Sequence, residues 1–125
     1  NPINYTAGGK VCAAYVQEKE LDSFVKKNGL KKMTDKTVTD LKKFKLELEK
    51  IRKEKLAVMD SERTPGVAAI AAPVFDRDGN LAAVIGTMLP EGERGEDTWN
   101  RFRKSVCAVA EAASFALGYA PYKMS

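Results

Sequence analysis

The chain has 125 residues, with 21 Lys and Arg against 17 Asp and Glu, a net charge of +4, and no histidine. That length suits one domain with room for a real core, and the composition is that of an ordinary soluble globular protein. The lack of histidine excludes His-based triads, His metal sites and the usual general base near neutral pH. No apolar run is long enough to span a bilayer, and no signal-peptide pattern is present.

In chain order, Asn4-Tyr5-Thr6-Ala7-Gly8-Gly9-Lys10 leads into an apolar stretch, and Thr6 is predicted to N-cap a helix running to about Val16. The small residues Ala7, Gly8 and Gly9 leave the first-turn N–H groups accessible, and a helix N-terminus attracts anions. Close packing of this turn on a sheet is the other reading, and the two are compatible. Gly8-Gly9-Lys10 lacks the first glycine and the preceding strand of a phosphate loop. Glu18 to Asn28 is a second helix, with Leu21, Phe24 and Val25 as its stripe, Lys26 and Lys27 near its end, and Gly29 as its cap.

Leu30 to Val38 is expected to be a connector with a short extended piece. Thr39 or Asp40 then caps a longer helix, in which Leu41, Phe44, Leu48 and Ile51 recur at helical spacing. The positive excess is concentrated between Lys31 and Lys55 with few aromatics. It reads as a solvated helix face, with nucleic-acid contact as the alternative. Leu56 to Met59 is a strand, and Asp60 to Pro65 a polar loop. The carboxylates Asp60 and Glu62 are a very weak catalytic signal beside loop solvation and backbone capping.

Thr64 to Pro90 organises the rest. It reads as two strands, about Gly66 to Phe75 and Leu81 to Leu89, joined by the turn Asp76-Arg77-Asp78-Gly79-Asn80. Neither strand alternates with polar residues, so both faces must be covered. With Arg77 to Asn80 as the loop and Asp76 opposite Leu81, Ala71 faces Gly86 and Ala69 faces Met88, on the side of Val67 and Val84. Ile70, Ala72, Val74, Ala83, Ile85, Thr87 and Leu89 take the other side. A slip of one residue would flip one strand. The turn is not a calcium loop, because its glycine is misplaced and the closing Glu is Thr87.

Glu91 to Glu96 is a charged loop, and Asp97 or Thr98 starts a last helix. Its apolar face is Phe102, Val106, Val109, Ala113 and Phe115 to Leu117, and Gly118 ends it; Tyr119 to Ser125 is a tail. A sheet of these strands alone looks unfinished. The missing strands lie upstream of Asn1 or come from another chain, and the start at Asn1 without Met reads as a fragment of a longer polypeptide. Cys12 and Cys107 have neither metal spacing nor a disulfide framework and are expected to be reduced, buried thiols of a cytoplasmic protein. No nucleophile elbow, dinucleotide fingerprint or metal cluster is present, so no enzyme and no cofactor is expected.

Several pieces together resemble the effector-binding domain of the isocitrate lyase regulator (IclR) family of transcription regulators. PINYTAGGKV is similar to the family's Pro-Leu-His-x-Thr-Ala-x-Gly-Lys-Ala segment. Thr37 to Asp40 and the following helix resemble its Thr-Ile-Thr stretch and charged helix. Glu62, Pro65-Gly66-Val67 and AIAAPVFDRDGNLAAVIG are similar to its Glu-x-x-x-Gly-Val-x-Cys-Ile-Ala-Ala-Pro-Val-Phe-Asp-x-x-Gly signature. The Ala-rich last helix fits as well. The resemblance covers almost the whole chain and lacks the family's winged helix-turn-helix and first effector-domain strands.

The resemblance implies an α+β, GAF-like (profilin-like) antiparallel sheet with helices on both faces, partial in this chain. It also implies a small-molecule effector on one sheet face, a homodimer or homotetramer, DNA contact only through a domain absent from this chain, and no membrane. The ligand would meet the helix start at Thr6, Ala7 and Gly8, and the sheet at Met59, Val67, Ala69, Ala71, Gly86 and Met88. The family's side-chain anchors are a polar residue matching Met59, a cysteine matching Ala69 and serines matching Gly86 and Met88, and all are apolar or absent here. The family His matches Asn4. Each lost hydrogen bond is worth about 1 kcal/mol net, so a small hydrophilic acid would bind far more weakly. Either the ligand is more apolar, with Met59 and Met88 as adaptable walls, or the pocket is filled and the domain is an unliganded interaction module. Lys55 stands where the family usually ends a helix with Gly in a left-handed conformation, which costs strain or moves the helix end.

Overall fold

In the computed structural model, residues 2–89 and 95–120 are described. The order is α1 (Ala7–Ala14), α2 (Glu18–Asn28), α3 (Leu41–Glu54), β1 (Ala57–Asp60), β2 (Ala68–Phe75), β3 (Leu81–Met88) and α4 (Glu96–Ala116). The strands form one antiparallel sheet in the order β1-β2-β3. The predicted charged loop from Glu91 and the tail from residue 121 fall largely outside the described residues.

Local chemistry sets most boundaries. The Thr6 hydroxyl accepts from Gly9 N–H, Asp40 accepts from Lys42 N–H, and Gly29 ends α2 at a φ of 72°. Residues 30–40 form a connector without a strand, whose backbone at Lys31 and Val38 is held by the Asn4 side chain. One expectation shifts. Helix α4 begins at Glu96, with Gly95 before it and no side-chain cap. At the end of α3, Lys55 itself takes the left-handed conformation, with φ 56° and ψ 43°. Its ammonium lies over the rings of Phe75 and Tyr119, 5.7 and 5.5 Å from their centroids, which offsets part of the strain.

The hairpin has the expected faces by a different turn. Asp76 N–H donates to Asn80 O at 2.9 Å, so the loop is Arg77 to Gly79, one residue shorter than expected. The Asp76 carboxylate accepts from the N–H groups of Asp78 and Asn80, which favours the tighter loop with Gly79 at a φ of 82°. Phe75 therefore pairs with Leu81 rather than Asp76, and a bulge at Ala82 restores the register. Beyond it, Ala71 stands opposite Gly86 and Ala69 opposite Met88.

Each sheet face has its own core. On one, α1, α2 and α3 bring Val11, Ala14, Leu21, Phe44, Leu48 and Ile51 onto Ala57, Met59 and Ala71. On the other, Val106 and Ala110 of α4 pack on Leu56, Ala68, Ile70, Ala72 and Val74. Helix α4 is rotated from the expected face: Val109, Phe115 and Leu117 are 53%, 81% and 48% exposed, while Ala110 and Ser114 are buried. The smaller side chains allow closer approach, and Ser114 Oγ accepts from Phe75 N–H and donates to Ala110 O. Both cysteines are free, but Cys12 is exposed and Cys107 only half-buried, correcting the expectation of buried thiols. Among the described residues, no helix is long and apolar enough to cross a membrane.

Candidate functional site

Backbone pairing assembles the sheet side of the predicted site. Met59 pairs with Ala69, and Ala69 with Met88, so these residues form one row across the strands. The next row is Ala57, Ala71 and Gly86. Paired residues share a face, and this one lies under α1. Val67 and Ala69 pack against the core that contains Ala7, Met59 and Ala71. The face is closed at β1 and β2, where Met59 and Ala71 are buried, and open at β3, where Gly86 is exposed and Met88 is 63% exposed. At Gly86 an added Cβ would come within 2.9 Å of Ile70 O, so the strands touch too closely there for a side chain.

The helix start is built from residues that the sequence reading treated alike and the structure separates. Ala7 is buried. Gly8 has nothing within 4 Å of where a Cβ would lie. Gly9 is required, because a Cβ there would sit 1.9 Å from Pro2 O, where the arm before the helix folds back. Thr6 caps Gly9 N–H, and Lys10 N–H bonds to Thr6 O. Among the described residues, no acceptor meets the N–H of Ala7 or Gly8.

Behind this turn lies a feature that sequence reasoning missed. Lys10 is fully buried, and its Nζ donates to Glu62 Oε1 at 2.5 Å, Glu47 Oε2 at 2.8 Å and Val58 O at 3.2 Å. Glu62 Oε2 also accepts from Asp60 N–H. Glu62 is thus neither a loop-solvating side chain nor a catalytic group in an open pocket; it balances a buried cation. A signal was present: Lys10 lies beside Val11 and Ala14 on the buried side of a helix of small residues, where a lone Lys needs a partner.

Asn4 is likewise structural. It is 3% exposed, and its Nδ2 donates to Lys31 O and Val38 O, tying the arm to the connector. The position matching the family His therefore holds backbone here. Thr34 and Thr37 complete the fastening by donating to Ser61 O and Glu62 O.

No group of acidic and cysteine side chains among the described residues could hold a metal ion. Two clefts lie elsewhere: one of about 610 Å³ among α1, α2 and α3, and one of about 270 Å³ beside Pro2 to Tyr5 and Phe24. Neither is lined by Met59, Ala69, Gly86 or Met88.

An antiparallel sheet clad by helices on both faces, with a row of small apolar residues under a helix start, defines a GAF-like domain. Residues 1–115 match the family model described as bacterial transcriptional regulator IclR, C-terminal, and the chain belongs to that family. The HTH-type transcriptional regulator BhcR of Paracoccus denitrificans is 33% identical over 115 residues, covering 92% of this chain and 40% of that relative. The structure of IclR from Thermotoga maritima superposes with a TM-score of 0.82 at 34% identity, covering 94% of this chain and 47% of that one. The inducer-binding domain of PobR from Acinetobacter, a double mutant in complex with 3-hydroxybenzoic acid, superposes with a TM-score of 0.78 at 25% identity, over 94% of this chain and 66% of that one. The chain thus spans less than half the length of the BhcR relative. These relatives are named as transcription regulators.

Proposed function

We propose that this chain is the small-molecule-sensing and oligomerising domain of an IclR-type transcription regulator. The ligand lies on the sheet face formed by Met59, Val67, Ala69, Ala71, Gly86 and Met88, beneath Thr6, Ala7 and Gly8. One observation carries the reading: the N–H groups of Ala7 and Gly8 have no acceptor among the described residues, and open space adjoins Gly8. A helix N-terminus with free donors favours an anion, and the rest of the face offers only apolar contact. The ligand class is an apolar carboxylate, in keeping with the aromatic acid bound to the related PobR domain.

The protein is a cytoplasmic homodimer or homotetramer that reads DNA through a separate domain of the same polypeptide. Strands from elsewhere in the polypeptide, or from a second copy, pair with the outer edge of β3, which is apolar and would otherwise invite aggregation. Ligand binding acts by favouring one arrangement of the subunits over another, and so the spacing of the DNA-binding domains.

A thermal-shift panel tests this. Benzoate, 3-hydroxybenzoate and hexanoate should raise the melting temperature, while pyruvate and neutral benzamide should not. A ligand at a hundred times its dissociation constant adds about 2.7 kcal/mol. Gly8→Leu, which fills open space without a clash, should remove the shift. A second reading, an unliganded interaction module, draws on the mutual burial of Ala7, Met59 and Ala71. Silence across the panel from a folded sample would favour it.

A further inference from the structure

Helix α4 turns Val106, Ala110 and Ser114 to the core and leaves its opposite side exposed. Ser105, Ala108, Ala112 and Ala116, three or four residues apart, form one exposed row along that side. Val109 flanks the row on one edge, 53% exposed, and Phe115 on the other, 81% exposed. The helix has 21 residues and is about 31 Å long. Side chains as small as those of the row let a second helix approach closely, and a contiguous exposed apolar patch marks an interaction surface.

The charged residues on the Phe115 edge identify the occupant. Lys104 and Glu111 lie on that edge two turns apart, both exposed. Neither has an ion-pair partner among the described residues. Ala108 lies between them, four residues after Lys104 and three before Glu111. When two copies of α4 run antiparallel and meet near Ala108, each edge faces its own counterpart. Lys104 then comes level with the partner's Glu111, and Glu111 with the partner's Lys104. Arg101, at the head of the row, comes beside the partner's Phe115, a ring that attracts a cation. A parallel pair would set like charges against each other. The pattern is therefore self-complementary, as a two-fold interface requires, whereas an unrelated segment would need no such symmetry.

We propose that the outward row of α4 is a dimerisation surface for a second copy of this chain, packed antiparallel about Ala108 with reciprocal Lys104–Glu111 pairs. This rests on the reading of the chain as an oligomerising domain and specifies where two copies meet. The surface is separate from the outer edge of β3.

The test is the association constant of this chain by sedimentation equilibrium. Wild type should dimerise. Lys104→Glu and Glu111→Lys should each weaken the dimer about fivefold or more, since each turns both reciprocal pairs repulsive. The double variant, with the charges exchanged, should regain wild-type affinity. All these side chains are exposed, so folding should be intact. In a Cys12→Ser, Cys107→Ser background, Ala108→Cys should oxidise to a linked dimer and Ala116→Cys should not, because antiparallel packing holds the two copies of residue 116 apart. A chain that stays monomeric up to about 1 mM, the weak end of specific affinity, would overturn this proposal together with the oligomeric part of the proposed function. A dimer indifferent to both single charge variants, a double variant no tighter than the singles, or equal linking through residues 108 and 116 would overturn this proposal alone.

Discussion

The two faces of the sheet are held by different physics. Under α4 the contact is almost wholly apolar, with Ile70, Ala72 and Val74 against Val106 and Ala110, and Ser114 as its one buried polar side chain among the described residues. Under α1 the core also carries a fully buried Lys10 with Glu62 and Glu47, while Asn4 and Thr37 fasten the surrounding chain. An apolar contact tolerates sliding and repacking if volume is kept. A buried cation bonded to a carboxylate on α3, another after β1 and a carbonyl of β1 does not, because each partner fixes a direction as well as a distance. The face with the candidate ligand residues is thus the one whose geometry is pinned. Helix α1 is short, rich in glycine and a weak helix former by itself, so its placement depends on tertiary contacts such as these.

Breaking the contrast should cost most at Lys10. Lys10→Met leaves the buried Glu62 and the half-buried Glu47 without their cation and should destabilise by about 3 kcal/mol, read as a lower urea midpoint. A loss below about 1 kcal/mol would mean that the carboxylates find water instead. Ser114→Ala, on the other face, strands the N–H of Phe75 and should cost about 1–3 kcal/mol; no change would show that N–H to be otherwise satisfied.

The smallest effect sharpens the comparison without destabilising anything. Cys12 is exposed on α1 and Cys107 is half-buried beside α4, so alkylation near neutral pH should modify Cys12 first. Burial, with the nearby Glu111, raises the Cys107 thiol pKa. The folded state thus holds that proton more tightly than the unfolded one. This contribution to stability is complete below the ordinary thiol range and is lost as pH climbs through the raised value. Cys107→Ser should flatten that alkaline fall, and equal alkylation rates at both sites would contradict the burial.

Much of this was legible in the chain. The cap at Thr6, the limits of α2 and the stripe of α3 follow from residues a turn apart. The faces of β2 and β3 follow from a period of two and a turn whose chemistry lies within a few residues. The turn length itself was misjudged: the shorter loop and the Ala82 bulge cancel, so the pairing beyond them is the same and the strand pattern cannot tell the two apart. The rotation of α4 was missed because Val109 and Phe115 outrank Ala110 and Ser114 in hydrophobicity, whereas a helix lying close to a sheet selects for size.

What the sequence by itself determined is the family, the elements and which strand residues share a face, since those depend on local geometry and on a signature contiguous in the chain. Only the tertiary structure decided the roles of the polar residues. Lys10 meets Glu47 and Glu62 across separations of 37 and 52 residues, and Asn4 reaches Val38 across 34. A charge in a sequence carries no mark of its partner. Burial strips it of water, and the fold alone sets which opposite charge replaces that water.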